Sequence, residues 1–424
     1  MSAAPPAFKS KFLQTMQERG YIHQITHPEE LDASLAAGLM TAYIGFDATA
    51  PSLHVGSLIQ IMILRRLQQA GHRPVVLMGG GTTKVGDPTD KDSQRPLLSH
   101  DQIQANITGI KQAFAKFLTF GDGPTDAILV DNDEWLSKLG YLQFLRDYGV
   151  HFTINRMLAF DSVKLRLDRE QPLTFLEFNY MLMQATDFLE LNRRHGCCLQ
   201  MGGSDQWGNI LNGVELIRRV DHKPAFGLTT PLLATASGAK MGKSVAGAVW
   251  LNADMRSPYD YWQFWRNTED ADVGRFMKLF TDLSLEEIAR YEALQGAEIN
   301  EAKKVLADAA TTLLHGAEAT TAAKSAATAA FEDGALSADL PTFILNGDWK
   351  IARSVVEIAF ASQLFASRSE VRRKIAEGAV RINGVKVVDP LLNIGVDAVD
   401  SKLGTYRVEL GKKKIALVKP VEED

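Results

Sequence analysis

At 424 residues, with 46% hydrophobic and 23% charged side chains, the chain has room for two or three folded domains and the composition of a soluble globular protein, which excludes the disordered and fibrous classes. No apolar run approaches the roughly 20 residues of a membrane span, and the opening MSAAPPAFKSKF lacks the apolar stretch of a secretory signal; a cytoplasmic protein with no membrane partner is expected. The formal net charge of −5 is uneven, because residues 350–424 carry fourteen Lys or Arg against ten Asp or Glu, a net +4 that leaves −9 for the rest. A basic tail on an acidic body suits either an anionic partner or a solvated basic surface. The two cysteines, Cys197 and Cys198, are adjacent and read as small core residues, so neither a disulfide nor a structural metal is expected.

In chain order, Phe8 to Arg19 and Leu31 to Ala37 read as short helices. Thr41 to Phe46 is apolar, β-branched and aromatic, a buried strand. Asp47 to Pro51 breaks it with turn residues, and from Val55 the spacing of Leu58, Ile59, Ile61, Met62, Leu64 and Leu67 predicts a helix reaching Gly71. A strand that turns into a helix aims backbone N–H groups at whatever sits above the strand ends, so His54, Gly56 and Ser57 fit a phosphate site as well as a plain helix start. A second strand, Pro74 to Met78, runs into GGGTTKVGDP, which lacks the Gly-Lys-Ser/Thr ending of a nucleoside triphosphatase loop. Lys91 and Arg95 lie just beyond, within reach of phosphates. Helical spacing from Ile103 to Phe117 precedes a third strand, Ala127 to Val130, in the run ending LVDN. This alternation predicts a parallel sheet with its ligand at the carboxyl ends of the strands.

Thr174 to His195 is expected to be one helix carrying Tyr180, Gln184 and Asp187 on one face at i, i+4 and i+7, amid apolar neighbours. Such a stripe is either an exposed face or, if buried, a polar ligand site. The strand Cys197 to Met201 then delivers GGSDQW into a helix over Gly208 to Val220, where Asp205 suits a ribose or an N-cap. After a strand over Phe226 to Ala234, SGAKMGKS places Lys240 and Lys243 in a Gly- and Ser-containing loop, fit for a triphosphate or for solvent. Ser257 to Leu294 and Asn300 to Phe331 read as helical, Asp333 to Asp348 as a linker, and Ile351 to Phe365 and Ser369 to Ala376 as helices. RINGVKV is a hairpin turning at Asn383-Gly384, and Arg368, Arg372, Arg373 and Lys374 give the second tail helix a basic face.

Taken together, HVGS at His54 to Ser57, KMGKS at Lys240 to Ser244, YIGFDATAPSLH, GDPT, YMLMQATD and GGSDQWGN closely resemble, in order and spacing, the bacterial tyrosyl-tRNA synthetases, a family of class I aminoacyl-tRNA synthetases, over essentially the whole chain. The tail from about Ile351 resembles a small RNA-binding fold of a ribosomal protein. Ser57 stands where the family often has a second histidine, and Gly242 where its loop signature has serine.

The resemblance implies a Rossmann-like, doubly wound parallel-sheet catalytic domain over 1–236, a signature loop and α-helical tRNA-contacting domain over 237–332, a linker over 333–349 and a small α+β RNA-binding domain over 350–424. It implies adenylate formation from tyrosine and ATP with Mg2+, transfer of tyrosine to the 3′-terminal adenosine of tRNA(Tyr), and a homodimer. By the same resemblance Thr49, His54, Lys240 and Lys243 meet the departing phosphates, with Lys91 and Arg95 joining them. Gly45, Asp47, Gly56, Ser57, Gly203 and Asp205 cradle adenosine, with Met241, Gly242 and Ser244 completing the ATP loop. Asp87, Tyr180 and Gln184 hold the ammonium, Gln206 the carboxylate, and Tyr43 with Asp187 the phenol. The alternatives are a tryptophanyl-type synthetase and an RNA-binding or splicing factor on an inactive synthetase body; Tyr43 and Asp187 argue against the first, His54, Asp205, Lys240 and Lys243 against the second.

Overall fold

A computed structural model describes residues 8–87, 98–238, 241, 243–244, 247–331, 340–346, 352–395, 398–399, 404–411 and 414–421. They form two compact units, one of residues up to 241 with 269–293, the other of 242–268 with 294–424.

The first unit is built on six strands: β1 (Gln24–Ile25), β2 (Thr41–Phe46), β3 (Arg73–Met78), β4 (Ile128–Asp131), β5 (Cys197–Gly203) and β6 (Phe226–Thr230). Their order is β1-β6-β5-β2-β3-β4, parallel throughout except where β1 runs against β6. The chain winds from β2 to β3 and β4 on one side and resumes on the other with β5 and β6, so the winding reverses between β2 and β5, where an open parallel sheet leaves a crevice. Burial on both faces explains the continuous apolar runs: Tyr43, Val75, Leu77, Phe188 and Ile210 share one core cluster. Residue β2 Tyr43 pairs with Val75 on one side and Gln200 on the other. β6 stops at Thr230, short of the expected Ala234, because Pro231 has no N–H to continue the ladder.

The helix expected over Thr174 to His195 is two helices, Phe175–Phe178 and Tyr180–His195. The Asn179 side chain donates to the Phe175 carbonyl at 2.7 Å, a local bond that ends the first helix, while Thr174 and Glu177 form a capping box at its start.

In the second unit the Pro258–Arg266 helix buries Tyr261, Trp262 and Trp265, and the Trp262 indole reaches across to Asp308 of the Ile299–Phe331 helix at 2.8 Å. That long helix is broken at Gly316, whose φ of 85° only glycine adopts without strain. The tail sheet runs Val385–Lys386, Val380–Ile382, Tyr406–Leu410, Lys414–Val421, Thr342–Asn346. Its last strand lies inside the segment read as a linker: the partner of Thr342–Asn346 is the parallel strand Lys414–Val421, too distant in sequence for a local pattern to show. The tail helices are Val355–Ala361 and Arg368–Ala376; the first is shorter than expected, and Gln363 beyond it has φ 54°. Asn383 and Gly384, with φ 51° and 79°, make the expected hairpin turn. No helix among the described residues is long and apolar enough to cross a membrane.

Candidate active site

The polar residues singled out in the first unit converge on the carboxyl ends of β2 and β5. β2 is buried except at Gly45, where a Cβ would make only an ordinary contact, 3.8 Å from Leu77; packing does not demand glycine there, and its lack of a side chain bares the strand. The loop after β2 is fixed from three directions. Ala48 N–H donates to Thr83 Oγ1 at 2.8 Å, Asn106 donates to the Ala48 carbonyl at 2.8 Å, and Asp47 accepts from Thr82 Oγ1 at 3.0 Å and from the Tyr180 hydroxyl at 3.4 Å. Thr49 is left exposed at its tip.

His54 caps the Val55–Gln69 helix, its Nδ1 accepting from the Gly56 amide at 2.9 Å. In the neutral ring the proton therefore sits on Nε2, which makes that atom a donor for a ligand oxygen. A Cβ on Gly56 would lie 2.6 Å from the His54 ring and 3.1 Å from the Met241 carbonyl, so glycine is required here by the protein's own close packing. Ser57 is half-buried and donates its amide to the His54 carbonyl at 2.8 Å.

The stripe on the Tyr180–His195 helix faces inward. Gln184 donates to Gln206 Oε1 at 3.3 Å, Gln206 donates to Asp87 at 3.0 Å and more weakly to Asp205 at 3.4 Å, and Asn209 donates to Gln184 and Gln206, each at 3.1 Å. Asp87, Gln184, Asp205 and Gln206 are thus one connected set. A Cβ on Gly203 would fall 2.3 Å from Asp205 Oδ1, so that glycine lets the acid fold back over the strand end.

Deepest lies Asp187, 2% exposed, accepting from Trp135 Nε1 at 2.8 Å and from Asn132 Nδ2 at 2.9 Å. Burial raises its carboxyl to about 8; the two hydrogen bonds pull it down, and the charges of Asp47 and Asp131 add to the rise. The Tyr43 ring packs against Phe188, and its hydroxyl, wholly buried, has no hydrogen-bond partner among the described residues. Burial and the nearby charge of Asp187 raise that phenol above its usual range.

Three further residues of this site escape a reading of the sequence. Asn132, 1% exposed, also accepts from the Gly81 amide at 2.7 Å and donates to Thr82 Oγ1 at 3.1 Å, so one amide ties the glycine-rich loop to Asp187. Trp135 and Asn209 complete the set. The available signal for the first two was the polar N-D-x-W run at the end of a buried strand, where a parallel sheet places ligand groups.

Lys91, Arg95, Lys240 and Gly242 lie outside the described residues. Lys243 and Ser244 fall in the second unit, in a two-residue strand paired with Gly247–Ala248. Met241 is buried in the first. On the tail helix Arg368, Arg372 and Arg373 are exposed and Lys374 half-buried; Lys374 pairs with Glu377 at 2.6 Å, and Arg368 lies over the Phe360 ring at 5.0 Å.

Residues 36–332 match the family described as tRNA synthetases class I (W and Y). The chain is 72% identical over 422 residues to a tyrosine–tRNA ligase of Caulobacter sp. (strain K31), covering 99% of this chain and all of that one. To the tyrosine–tRNA ligase of Zymomonas mobilis it is 60% identical over 406 residues, covering 96% of this chain and 97% of the other. Among solved structures, a C-terminally truncated mitochondrial tyrosyl-tRNA synthetase of Aspergillus nidulans superposes with a TM-score of 0.67 at 32% identity, over 75% of this chain and 93% of that one.

Proposed function

The chain belongs to the class I tRNA synthetases of the tryptophan and tyrosine group, and we propose how its residues divide the work of a tyrosine–tRNA ligase. Tyrosine and ATP give tyrosyl-adenylate and pyrophosphate, and the tyrosyl group then passes to the 3′-terminal adenosine of tRNA(Tyr).

The observation that carries the amino acid is the unpartnered Tyr43 hydroxyl beside an Asp187 held by two donors. A phenol fits both: it donates to the carboxylate, whose oxygens keep spare lone pairs, and accepts from Tyr43. The indole of tryptophan only donates and leaves Tyr43 stranded. At the other end of the substrate, Asp87, Tyr180 and Gln184 take the ammonium and Gln206 the carboxylate; the hydrogen-bonded set around Gln206 supports this, since its members already share one pocket wall.

Attack of the tyrosine carboxylate on the α-phosphorus moves negative charge onto pyrophosphate, so positioning and electrostatic stabilisation are the protein's tasks. His54, with its proton on Nε2, and Thr49 on the loop tip meet the departing phosphates. Lys240 and Lys243 neutralise them, and Lys91 and Arg95 assist. Gly45, Asp47, Gly56, Ser57, Gly203 and Asp205 receive adenosine, with Met241, Gly242 and Ser244 from the signature loop. Mg2+ arrives with the nucleotide.

The exposed basic face of the Arg368–Ala376 helix supports an RNA-binding role for residues 350–424, with 1–236 catalytic and 237–332 contacting tRNA. A homodimer is supported by large apolar side chains left exposed in one stretch of the first unit: Tyr141, Leu142, Val150, Ile154 and Phe175 are 59–80% exposed, beyond what a monomer ordinarily leaves in water. We infer that the protein works in the cytoplasm, where charged tRNA is used.

Tyrosine-dependent exchange of labelled pyrophosphate into ATP, followed by charging of tRNA(Tyr), tests the proposal. Exchange driven by tryptophan, or none, overturns it.

A further inference from the structure

Where the Val355–Ala361 helix ends, the tail holds a hollow of about 600 Å³ walled by Ile344, Phe360, Gln363, Leu364, Phe365 and Lys414. That size is ordinary for a small-ligand pocket. The turn that forms one side of it is held in place. The buried Ser362 hydroxyl donates to the Ala359 carbonyl at 2.5 Å and accepts from the Leu364 amide at 3.4 Å, Glu370 accepts from the Ala366 amide at 2.7 Å, and Phe365 is anchored in the tail core. Between these anchors Gln363 stands at φ 54°, a left-handed backbone that glycine and asparagine adopt more readily. Its side chain is exposed at the rim.

The chemistry of the hollow is that of a flat apolar floor with cations at its edge. Phe360 is half-buried and lines it. The Arg368 guanidinium lies over the same ring at 5.0 Å without being part of the wall, so the ring carries a cation and still borders the cavity. Lys414 is exposed beside it, and Ile344, 64% exposed, leaves a further apolar surface in water. A ligand that fits is flat and apolar at one end, anionic at the other, and able to both donate and accept where Gln363 meets it. A nucleotide has these properties. An unpaired base stacks on aromatic rings and guanidinium planes while its edge takes hydrogen bonds, and the net charge of +4 over residues 350–424 suits the phosphates on either side.

We propose that this hollow is a subsite for one unpaired nucleobase of an RNA strand, stacked against Phe360 and met at its edge by Gln363, with the adjoining phosphates on Arg368 and Lys414. This rests on the RNA-binding role of the tail. It gives that role a part that senses bases, where exposed arginines alone sense phosphate charge.

The experiment measures binding of the full-length chain to a single strand of about six nucleotides of mixed sequence, and to the same strand without bases. Phe360→Leu keeps the apolar filling and removes the stacking surface; affinity for the strand with bases is expected to fall about five- to tenfold, with its salt dependence and the affinity for the abasic strand unchanged. Arg372→Gln should do the opposite, weakening both strands alike and flattening the salt dependence. Ile344→Thr, at an exposed strand position that a β-branched residue suits, should cost about two- to threefold on the strand with bases alone and serves if the phenylalanine variant does not fold. Equal losses on the two strands, or none in either variant, overturn the subsite. A wild-type chain that binds neither strand, or a chain ending at Phe331 that binds as well as the full one, overturns the RNA role of the tail instead.

Discussion

Trp135 Nε1 donates to Asp187 Oδ1 across 2.8 Å, supplying one of two hydrogen bonds that stabilise a carboxylate which burial pushes up to about 8. Trp135→Phe keeps an aromatic ring beneath Arg194, which stacks on it at 5.2 Å, and removes only the donor. With Asp187 largely protonated at neutral pH, a hydrogen bond to it contributes about 0.5–1.5 kcal/mol, so tyrosine affinity is expected to fall about two- to tenfold, as read by equilibrium dialysis. Unchanged affinity would mean that the indole does not hold the carboxylate for the ligand.

The titration of Asp187 also sets a pH dependence of stability. Its folded-state pKa is raised above the unfolded value, so between roughly pH 4 and pH 8 the folded chain holds a proton that the unfolded chain has lost, and stability declines as pH rises through that window. The slope is at most about 1.4 kcal/mol per pH unit. Asp187→Asn abolishes this titration. Denaturant midpoints measured from pH 5 to pH 8 should therefore show the variant gaining on the wild type as pH rises, and a constant difference would contradict the assignment.

Tyr43→Phe separates binding from folding. Deleting a buried hydroxyl with no partner removes a desolvation penalty of about 1–3 kcal/mol, so the ligand-free variant should be no less stable than the wild type and is expected to melt higher. Its activation of tyrosine should drop while its activation of phenylalanine does not, narrowing the ratio of the two efficiencies. A ratio left at its starting value removes Tyr43 from the phenol site.

His54→Asn tests the two nitrogens separately. An asparagine at an N-cap still accepts from the helix amides, so stability should change by less than about 0.5 kcal/mol. The donor at Nε2 is lost, and removal of one donor to developing charge costs about 10²–10³ in rate. Pyrophosphate exchange together with thermal unfolding reads both, and a variant that loses stability and rate in parallel would argue that the ring is chiefly a cap.

Removing the tail should spare amino-acid activation and impair charging of tRNA. The cut belongs after Phe331 rather than after Asp348, because Thr342–Asn346 is a strand of the tail sheet and a later cut strands it without Lys414–Val421. Full charging by the truncated chain would refute an RNA role for the tail.

How much of this was legible in the sequence followed the range of the interactions. β2, β3 and β5 announce themselves as apolar runs ended by glycine and acid, and the inward stripe of Tyr180, Gln184 and Asp187 follows from the 3.6-residue period. The partners of Asp187 do not, since Asn132 and Trp135 lie more than fifty residues earlier, in and beside a four-residue helix too short to show a period. The break at Asn179 was invisible because the helical period runs through it, and what marks the break is a local bond from the Asn179 amide to the Phe175 carbonyl. The same distance hid the strand Thr342–Asn346.

The reversal of winding between β2 and β5 has a bearing on how the enzyme is made. β2 ends at Phe46 and its neighbour β5 begins only at Cys197, so on a ribosome adding about 5–20 residues per second the nascent chain carries β2 for roughly eight to thirty seconds before the strand that closes its other side is synthesised. During that interval the edge of β2 that will receive β5 has no partner from this sheet, and the crevice has one wall. Synonymous codons that slow translation between these strands are expected to lengthen the exposure, which links the yield of folded enzyme to the pace of the protein synthesis it serves.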